Sequence, residues 1–199
     1  MSLSINASHM LSTSASPMLS INSRRGKMSE LVLVTGGVRS GKSSYAQTIA
    51  EASGAKVFYI ATAEALDGDM KKRITAHKRS RAKSCVTVEE PIRLVKAINS
   101  LPAGNITVIL DCLTLFISNL IHKGLTDAQV YAEIKKIIKA LRKKAALSIV
   151  VTNEVGSGIV PENRLSRRFR DLQGRVNQIT AKEADRVCLL VSGIPVQIK

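Results

Sequence analysis

Residues 31–43 read LVLVTGGVRSGKS, and this stretch decides the fold. Its first five residues are an apolar run closed by a threonine, the composition of a strand buried on both faces. The next eight, Gly36–Ser43 (GGVRSGKS), meet the spacing GxxxxGK[ST]. Gly36 and Gly41 let the backbone curl so that the N–H groups of Gly37, Val38, Arg39 and Ser40 turn toward phosphate oxygens beside the positive end of the following helix. Lys42 is placed to reach the β- and γ-phosphates, and Ser43 to offer its hydroxyl to Mg²⁺. The bare pattern also arises by chance. Here it follows an apolar strand directly and opens a helix, so the chain is predicted to use a nucleoside triphosphate.

Outward from this loop, short apolar runs alternate with helical patterns, and there are no internal repeats. A helix is predicted over residues 42–52, ended near Gly54, and a strand over 57–61. Residues 64–81 read as a basic helix with a thin apolar stripe at Met70 and Ile74. A helix follows over 91–99, with Pro91 near its first turn. A strand over 107–110 precedes a helix starting at Leu113. Over 126–145, Val130, Ile134, Ile137 and Leu141 recur at helical spacing, with Lys135, Lys136, Lys139, Arg142, Lys143 and Lys144 forming a solvated outer face. After a strand at 148–152, a helix over 163–183 is expected to bury Leu165, Phe169, Leu172, Val176 and Ile179. Residues 187–191 are a fifth strand and 196–198 a short sixth at the edge. The order predicts an α/β protein: a P-loop NTPase of RecA-like type, with a mainly parallel sheet, right-handed crossovers and helices on both faces. In such sheets the ligand sits at the carboxyl ends of the strands, so the chemistry belongs just after each one.

Composition narrows the reading. A chain of 199 residues can bury a core without disulfides or metal staples. With 3% aromatic residues and no tryptophan, that core must rest on Leu, Ile, Val and Ala. No apolar run approaches the ~20 residues of a membrane-spanning helix. Cys85, Cys112 and Cys188 are odd in number and never spaced CxxC, which argues against a disulfide framework or a zinc site and fits the cytoplasm. Cys112 and Cys188 stand in strand-like apolar segments as inert core residues. Residues 1–27 are rich in Ser, Ala and Asn, lack periodicity and end in Arg24, Arg25 and Lys27, so they read as a disordered extension ahead of one domain over 28–199. The net charge of +15 would attract polyanions. A basic nucleic-acid-binding or regulatory NTPase is therefore the competing reading. The sequence offers it neither a recognition helix nor an aromatic platform for stacking bases, and a nucleic-acid partner is not expected.

Two further groups of residues carry chemistry. Asp111, immediately after Val108, Ile109 and Leu110, fits a carboxylate that organises Mg²⁺ beside the P-loop; the plainer alternative is an acid capping the helix at Leu113. In VTNEVGSGIVPENRLSRRFRDLQGRVNQ, residues 151–178, Asn153 and Glu154 stand at the end of the fourth strand, facing the expected site. Gly156 and Gly158 permit an unusual loop, and Pro161 stiffens its exit. Arg167, Asp171 and Arg175 are four apart on the helix beyond and share a face, the spacing of an ion-paired ladder.

Together with GGVRSGKS, this segment, YIAT (residues 59–62), RITAHKRSR (73–81) and LDCLT (110–114) resemble the bifunctional adenosylcobinamide kinase/adenosylcobinamide-phosphate guanylyltransferase family. The resemblance runs from about Leu31 to Lys199, and NEVGSGIVP and FRDLQGRVNQ are far more specific than the P-loop. It implies transfer of a γ-phosphate from ATP or GTP to the hydroxyl of the aminopropanol arm of adenosylcobinamide. GMP would then pass from GTP to a histidine, with release of pyrophosphate, and on to cobinamide phosphate. Matching positions make His77 the nucleophile, a sensible role because neutral imidazole can attack the α-phosphorus and split one difficult displacement into two. They make Lys78, Arg79, Ser80 and Arg81 nucleotide contacts whose positive members would face the triphosphate, with Thr62, Glu89 and Asp111 contributing and Arg170 a substrate candidate beside Asn153 and Glu154. The family resemblance also suggests a homotrimer with sites between subunits. His9 and His122 match nothing in the pattern. The family carries a Pro and then a Trp after the His/Arg cluster, where this chain has Ala82 and Cys85, and some relatives carry a second histidine where it has Ala76. The missing aromatic bears on how the base or corrin ligand packs there.

Overall fold

The computed structural model describes residues 29–64, 68–79 and 85–199. The predicted extension over 1–27, with His9 and its basic cluster, lies outside these residues, as do Ser80, Arg81 and Ala82. The apolar run after Glu30 forms β1 (Glu30–Gly36). There follow α1 (Lys42–Ala52), β2 (Lys56–Ala61), α2 (Gly68–Arg79), β3 (Val86–Glu89), α3 (Leu94–Ser100), β4 (Gly104–Asp111), α4 (Leu113–His122), α5 (Asp127–Lys144), β5 (Ala145–Val151), α6 (Arg164–Glu183), β6 (Arg186–Val191) and β7 (Ile194–Gln197).

The strands form one seven-stranded sheet in the order β3-β2-β4-β5-β1-β6-β7. All neighbours are parallel except β7, which returns antiparallel on β6. Its turn holds Ser192 at φ +51° and Gly193 at φ +86°, two positive values in succession as a tight two-residue hairpin requires. Because β1 lies between two parallel neighbours and under helices on both faces, Leu31 to Gly36 are all buried. Leu31 and Leu33 enter the layer built by α3, α4, α5 and α6, while Val32 and Val34 meet Ala46, Ile49 and Ala50 of α1. A fully buried leucine or valine stabilises such a layer by about 1.5–3 kcal/mol, so this central strand anchors the loop that follows it.

Several expected boundaries shift. β3 was not foreseen: its four residues are mostly exposed, and pairing with β2 alone makes them a strand. The terminal strand is Ile194–Gln197, a seventh strand rather than a sixth over 196–198. Glu64 precedes α2 in non-helical backbone, and Gly68, a poor helix former, stands at that helix's first position. Pro91 lies before α3, because the Glu90 carboxylate accepts from the N–H groups of Ile92 (3.0 Å) and Arg93 (2.8 Å) and closes a turn there.

The stripe Val130, Ile134, Ile137 and Leu141 on α5 is buried as expected. Two of its outer cations are tethered instead of merely solvated: Arg142 donates to Ser29 O at 2.7 Å and Asp185 Oδ2 at 3.0 Å, and Lys144 to Leu101 O at 3.0 Å. On α6, Leu172 and Val176 are buried and Phe169 and Ile179 partly so, but Leu165 is exposed in the first turn. No helix among the described residues is long and apolar enough to cross a membrane.

Candidate functional site

A parallel sheet aligns the carboxyl ends of β2, β4, β5 and β1, and the chemistry-bearing residues gather along that edge. Gly36 takes φ +148°, and a Cβ there would stand 2.5 Å from Leu190 O and 2.8 Å from Ser40 Oγ. The loop can therefore leave β1 this close to β6 only as glycine. Gly41, at φ +95°, opens α1 and brings its backbone against Gly193 of the β6–β7 turn, whose N–H donates to Ser40 O at 3.0 Å. The hairpin thus braces the P-loop from below, a role nothing local in the sequence announces. Val38 and Arg39 form its exposed tip, with Arg39 at φ +56°.

Lys42 is only 7% exposed, and its ammonium donates to Gly37 O at 2.5 Å and Ser40 Oγ at 3.3 Å, arching over the loop it follows. Burial pushes its pKa below the ordinary lysine value, while the negative charge of neighbouring Asp111 pulls the other way. A cation held in this partly dehydrated place acts more strongly on a phosphate than one in water. Asp111 ends β4 and accepts a hydrogen bond on Oδ2 from the buried Tyr59 hydroxyl of β2. Ser43, half-buried at the start of α1, adds a hydroxyl to the same edge.

Thr62 is fully buried; its hydroxyl donates to Cys112 O at 2.7 Å and accepts from Cys112 N at 2.9 Å, while its N–H donates to Asp111 O at 3.1 Å. Through these bonds Thr62 ties the loop after β2 to the end of β4, where Asp111 stands. Asn119, a buried polar residue in apolar α4, donates to Thr62 O at 2.9 Å and Pro91 O at 3.1 Å and ties two strand-end loops together. Cys112 is the residue before α4, not part of a strand. Burial and the Asp111 carboxylate push its thiol up to about 12, and its Sγ accepts from Leu115 N at 3.4 Å.

After β5, which lies between β4 and β1, Glu154 meets the P-loop strand directly. Its N–H donates to Gly36 O at 3.1 Å, and its Oε1 accepts from Thr35 Oγ1 at 2.7 Å and Asn177 Nδ2 at 3.0 Å. Asn153 donates its N–H to Thr114 Oγ1 at 2.8 Å. Gly156 and Gly158 do not take positive φ, and a Cβ on either would touch nothing within 4 Å, so the loop geometry described does not depend on them.

The expected Arg167–Asp171–Arg175 ladder is absent among the described contacts. Asp171 is taken by adjacent Arg170, through Nε at 2.9 Å and Nη2 at 2.7 Å. Arg167 instead donates to Pro161 O at 2.9 Å and Glu162 O at 2.5 Å, closing the turn before α6, and Arg175 reaches Gln178 at 2.9 Å. Arg170, so engaged, makes no described contact with the P-loop.

The remaining group lies elsewhere. α2 carries His77, whose side chain, like that of Arg79, is outside the described residues. Lys78 forms a 2.5 Å ion pair with Glu89 at the end of β3. β3 stands four strands from β1 in the sheet, roughly 19 Å at ordinary strand spacing. Lys42, Asp111 and Glu154 are thus brought together, and the Lys78–Glu89 pair is not. Among the described residues no three His, Cys, Asp or Glu side chains cluster as a metal site. His122, at the end of α4, is exposed.

Compared with known proteins, residues 32–198 match the family model described as cobinamide kinase / cobinamide phosphate guanyltransferase. The chain is 42% identical over 182 residues to the bifunctional adenosylcobalamin biosynthesis protein CobU of Escherichia coli (strain K12), covering 85% of this chain and 99% of that protein. Its identity to the protein of the same description from Salmonella typhimurium is 43% over 181 residues, with the same coverage. To the bifunctional adenosylcobalamin biosynthesis protein CobP of Pseudomonas aeruginosa it is 38% over 169 residues, covering 84% and 96%. Among solved structures, an ATPase from the type III secretion system of pathogenic bacteria superposes with TM-score 0.54 at 12% identity, covering 82% of this chain and 51% of that one. The PH0250 protein of Pyrococcus horikoshii OT3 superposes with TM-score 0.54 at 9% identity over 87% of each. At these identities the likeness concerns the fold alone, which is the P-loop NTPase architecture expected from residues 31–43.

Proposed function

Because the chain belongs to the family of cobinamide kinases / cobinamide phosphate guanyltransferases, we propose that it phosphorylates adenosylcobinamide from ATP or GTP and then transfers GMP from GTP to the product through a guanylyl-His77 intermediate. The observation that carries the kinase half is buried Lys42, arched over the P-loop with Asp111 as its charged neighbour. There the ammonium neutralises the γ-phosphate while the loop N–H groups hold the chain of phosphates in line.

Mg²⁺ fits this place by donor chemistry: Ser43 supplies a hydroxyl, and Asp111 keeps its second oxygen beside the one Tyr59 engages. Two hard oxygen donors with no dense carboxylate cluster suit an ion that shares its shell with phosphates and water. Bound there, Mg²⁺ would supply charge against the β- and γ-oxygens.

For the second half, the neutral imidazole of His77 attacks the α-phosphorus of GTP, the N–P bond forms, and pyrophosphate leaves with the electrons of the broken P–O bond. Lys78, Arg79 and Arg81 supply positive charge against the phosphates, and Glu89 contacts the nucleotide. We read the chain as a cytoplasmic homotrimer acting on small molecules, with residues 28–199 as one domain. Exposed Ile159, Val160, Val191 and Ile194 give such an assembly apolar surface to cover.

The decisive experiment uses GTP labelled at the α-phosphate. The wild-type chain should acquire an acid-labile, base-stable label that His77→Ala does not. An unlabelled wild type, or an equally labelled variant, removes the guanylyl-histidine step.

A further inference from the structure

Where β1, β5 and α6 meet, a set of polar side chains is sealed from water for no reason the phosphate cradle supplies. Thr152 and Gln173 are fully buried, Thr35 is 5% exposed and Asn177 7%. Gln173 Nε2 donates to Asn177 Oδ1 at 2.7 Å and Thr152 Oγ1 at 2.8 Å, and Thr152 Oγ1 donates to Asn177 Oδ1 at 2.8 Å. Two donors on Oδ1 leave the Asn177 amide a single orientation. Its Nδ2 must point toward the strand ends, where it donates to Asn153 O and Glu154 Oε1, each at 3.0 Å. Thr35, the last residue before the P-loop glycines, places its proton on the same Oε1 at 2.7 Å.

Apolar residues of equal size would hold these elements together at least as well, since each buried polar group must recover the hydration it loses. What the network secures that apolar packing could not is the position of one carboxylate. Glu154 is itself exposed, yet it is fixed by its backbone to Gly36 O and by one oxygen to two buried donors. Among the described residues no donor engages Oε2. Thr35 and Asn177, which touch the carboxylate from β1 and α6, are neutral, and no described cation pairs with it.

We propose that Glu154 is the carboxylate that receives the proton of the acceptor hydroxyl during phosphate transfer, and that Asn177 and Thr35 are the positioning residues that aim it. This rests on the kinase reading above. As the acceptor oxygen bonds to the γ-phosphorus, the bond from that phosphorus to the β–γ bridging oxygen breaks and its electrons leave on the nucleoside diphosphate. The hydroxyl proton passes to Oε2 of Glu154 and from there to water. General-base assistance of this kind contributes typically about 10²–10⁴-fold.

The test is phosphate transfer from ATP to adenosylcobinamide, with kcat and KM measured separately. Glu154→Gln should lower kcat about 100-fold or more and leave KM for ATP within a few-fold. Asn177→Ala disturbs a buried network and can fail to fold, so Thr35→Val, which removes one donor at nearly constant volume, is the informative companion. It should lower kcat about 10-fold with KM for ATP within a few-fold, because the carboxylate loses a donor that aims it. Thr35→Ser, which keeps the donor, should restore kcat. A kcat for Glu154→Gln within 3-fold of wild type overturns the role of Glu154. Equal kcat values for Thr35→Val and Thr35→Ser overturn the positioning. Absence of transfer by the wild type itself removes the kinase reading, and this role with it.

Discussion

Replacing Gly36 by alanine tests whether the P-loop leaves β1 under steric compulsion. The added Cβ would stand 2.5 Å from Leu190 O and 3.3 Å from Leu190 C, both backbone atoms of the strand paired with β1. Neither atom can rotate away as the far end of a side chain would. The 2.8 Å approach to Ser40 Oγ adds a contact inside the loop. A non-glycine residue at φ +148° costs about 1–3 kcal/mol, and overpacking against fixed backbone about 1–3 kcal/mol more. The sum, roughly 2–6 kcal/mol, is a large part of the roughly 5–15 kcal/mol that holds a folded chain together. At about 2–4 °C per kcal/mol for a chain of this size, the melting temperature should fall by roughly 4–24 °C. Gly37→Ala is the control, since a Cβ there meets nothing within 4 Å and its φ is not positive; it should melt within about 2 °C of wild type. Thermal unfolding followed by circular dichroism reads both variants. If Gly36→Ala melts with Gly37→Ala, β6 yields freely and the steric argument is wrong.

Lys42→Met should abolish phosphate transfer yet leave the melting temperature unchanged or raise it by about 2–4 °C, because a buried ammonium gives way to an apolar chain of similar length. The lowered pKa of Lys42 means that the unfolded chain binds more protons than the folded one between that value and about 10.4, so wild-type stability should rise with pH across this window and the variant should lose that rise. A variant markedly less stable than wild type would contradict the assignment. At Glu90, burial pushes the carboxyl up, but the N–H groups of Arg93 and Ile92 and the charges of Arg93 and Lys96 outweigh it, and the pKa ends below the ordinary value. Its contribution is therefore present above about pH 4.3 and lost as pH falls through the lower folded value; Glu90→Gln should cost about 1 kcal/mol at pH 7, and a gap undiminished at pH 3 would refute this. With its thiol at about 12, Cys112 exposes only about 10⁻⁴ thiolate at pH 8, and Cys188 is 2% exposed. A thiol reagent should leave both slow in the native protein and reach all three cysteines in denaturant, whereas rapid native modification of Cys112 would show that its thiolate is not suppressed.

The sequence disclosed what is local. Leu31 to Ser43 could be read because a strand buried on both faces is a continuous apolar run, and because a phosphate-binding turn needs glycine and lysine at fixed spacing. α5 could be read from period alone. β3 could not, since Val86–Glu89 shows no apolar pattern and is a strand only through β2. On α6 the period pointed to Leu165 and missed that Gln173, Asn177 and Thr180 share the buried face. Gln173 and Asn177 find Thr152 and Glu154 at 21 to 25 residues' distance, and Thr35 reaches Glu154 across 119. Charge spacing misled for a related reason: Arg167 and Asp171 are well placed along a helix, yet unsatisfied carbonyls at Pro161 and Glu162 competed for Arg167. Tyr59 and Asn119 stand out as polar groups in apolar segments, but only the sheet order shows that one reaches Asp111 and the other Thr62.

That same sheet order constrains how two reactions share one edge. Parallel strands put Lys42, Asp111, Glu154 and Glu89 at the same end of the sheet, and this is why the motifs converge on a single face. Within the face, however, Lys42 follows β1 while the Lys78–Glu89 pair closes β3, four strands away, or roughly 19 Å. The phosphate chain of one nucleotide is far shorter than that. In the arrangement described, a triphosphate whose γ-phosphate lies under Lys42 cannot also place its α-phosphate at the end of β3. On the proposed function, guanylylation therefore either uses a nucleotide seated apart from the P-loop with Lys78 against its phosphates, or carries α2 toward a P-loop of the same or a neighbouring copy, and the exposed Lys78–Glu89 bridge is weak enough in water to allow the latter. Lys78→Ala separates the two. If the bridge merely latches α2 in the outer position, its loss should speed labelling of the chain by α-labelled GTP; if Lys78 steadies the triphosphate, labelling should slow.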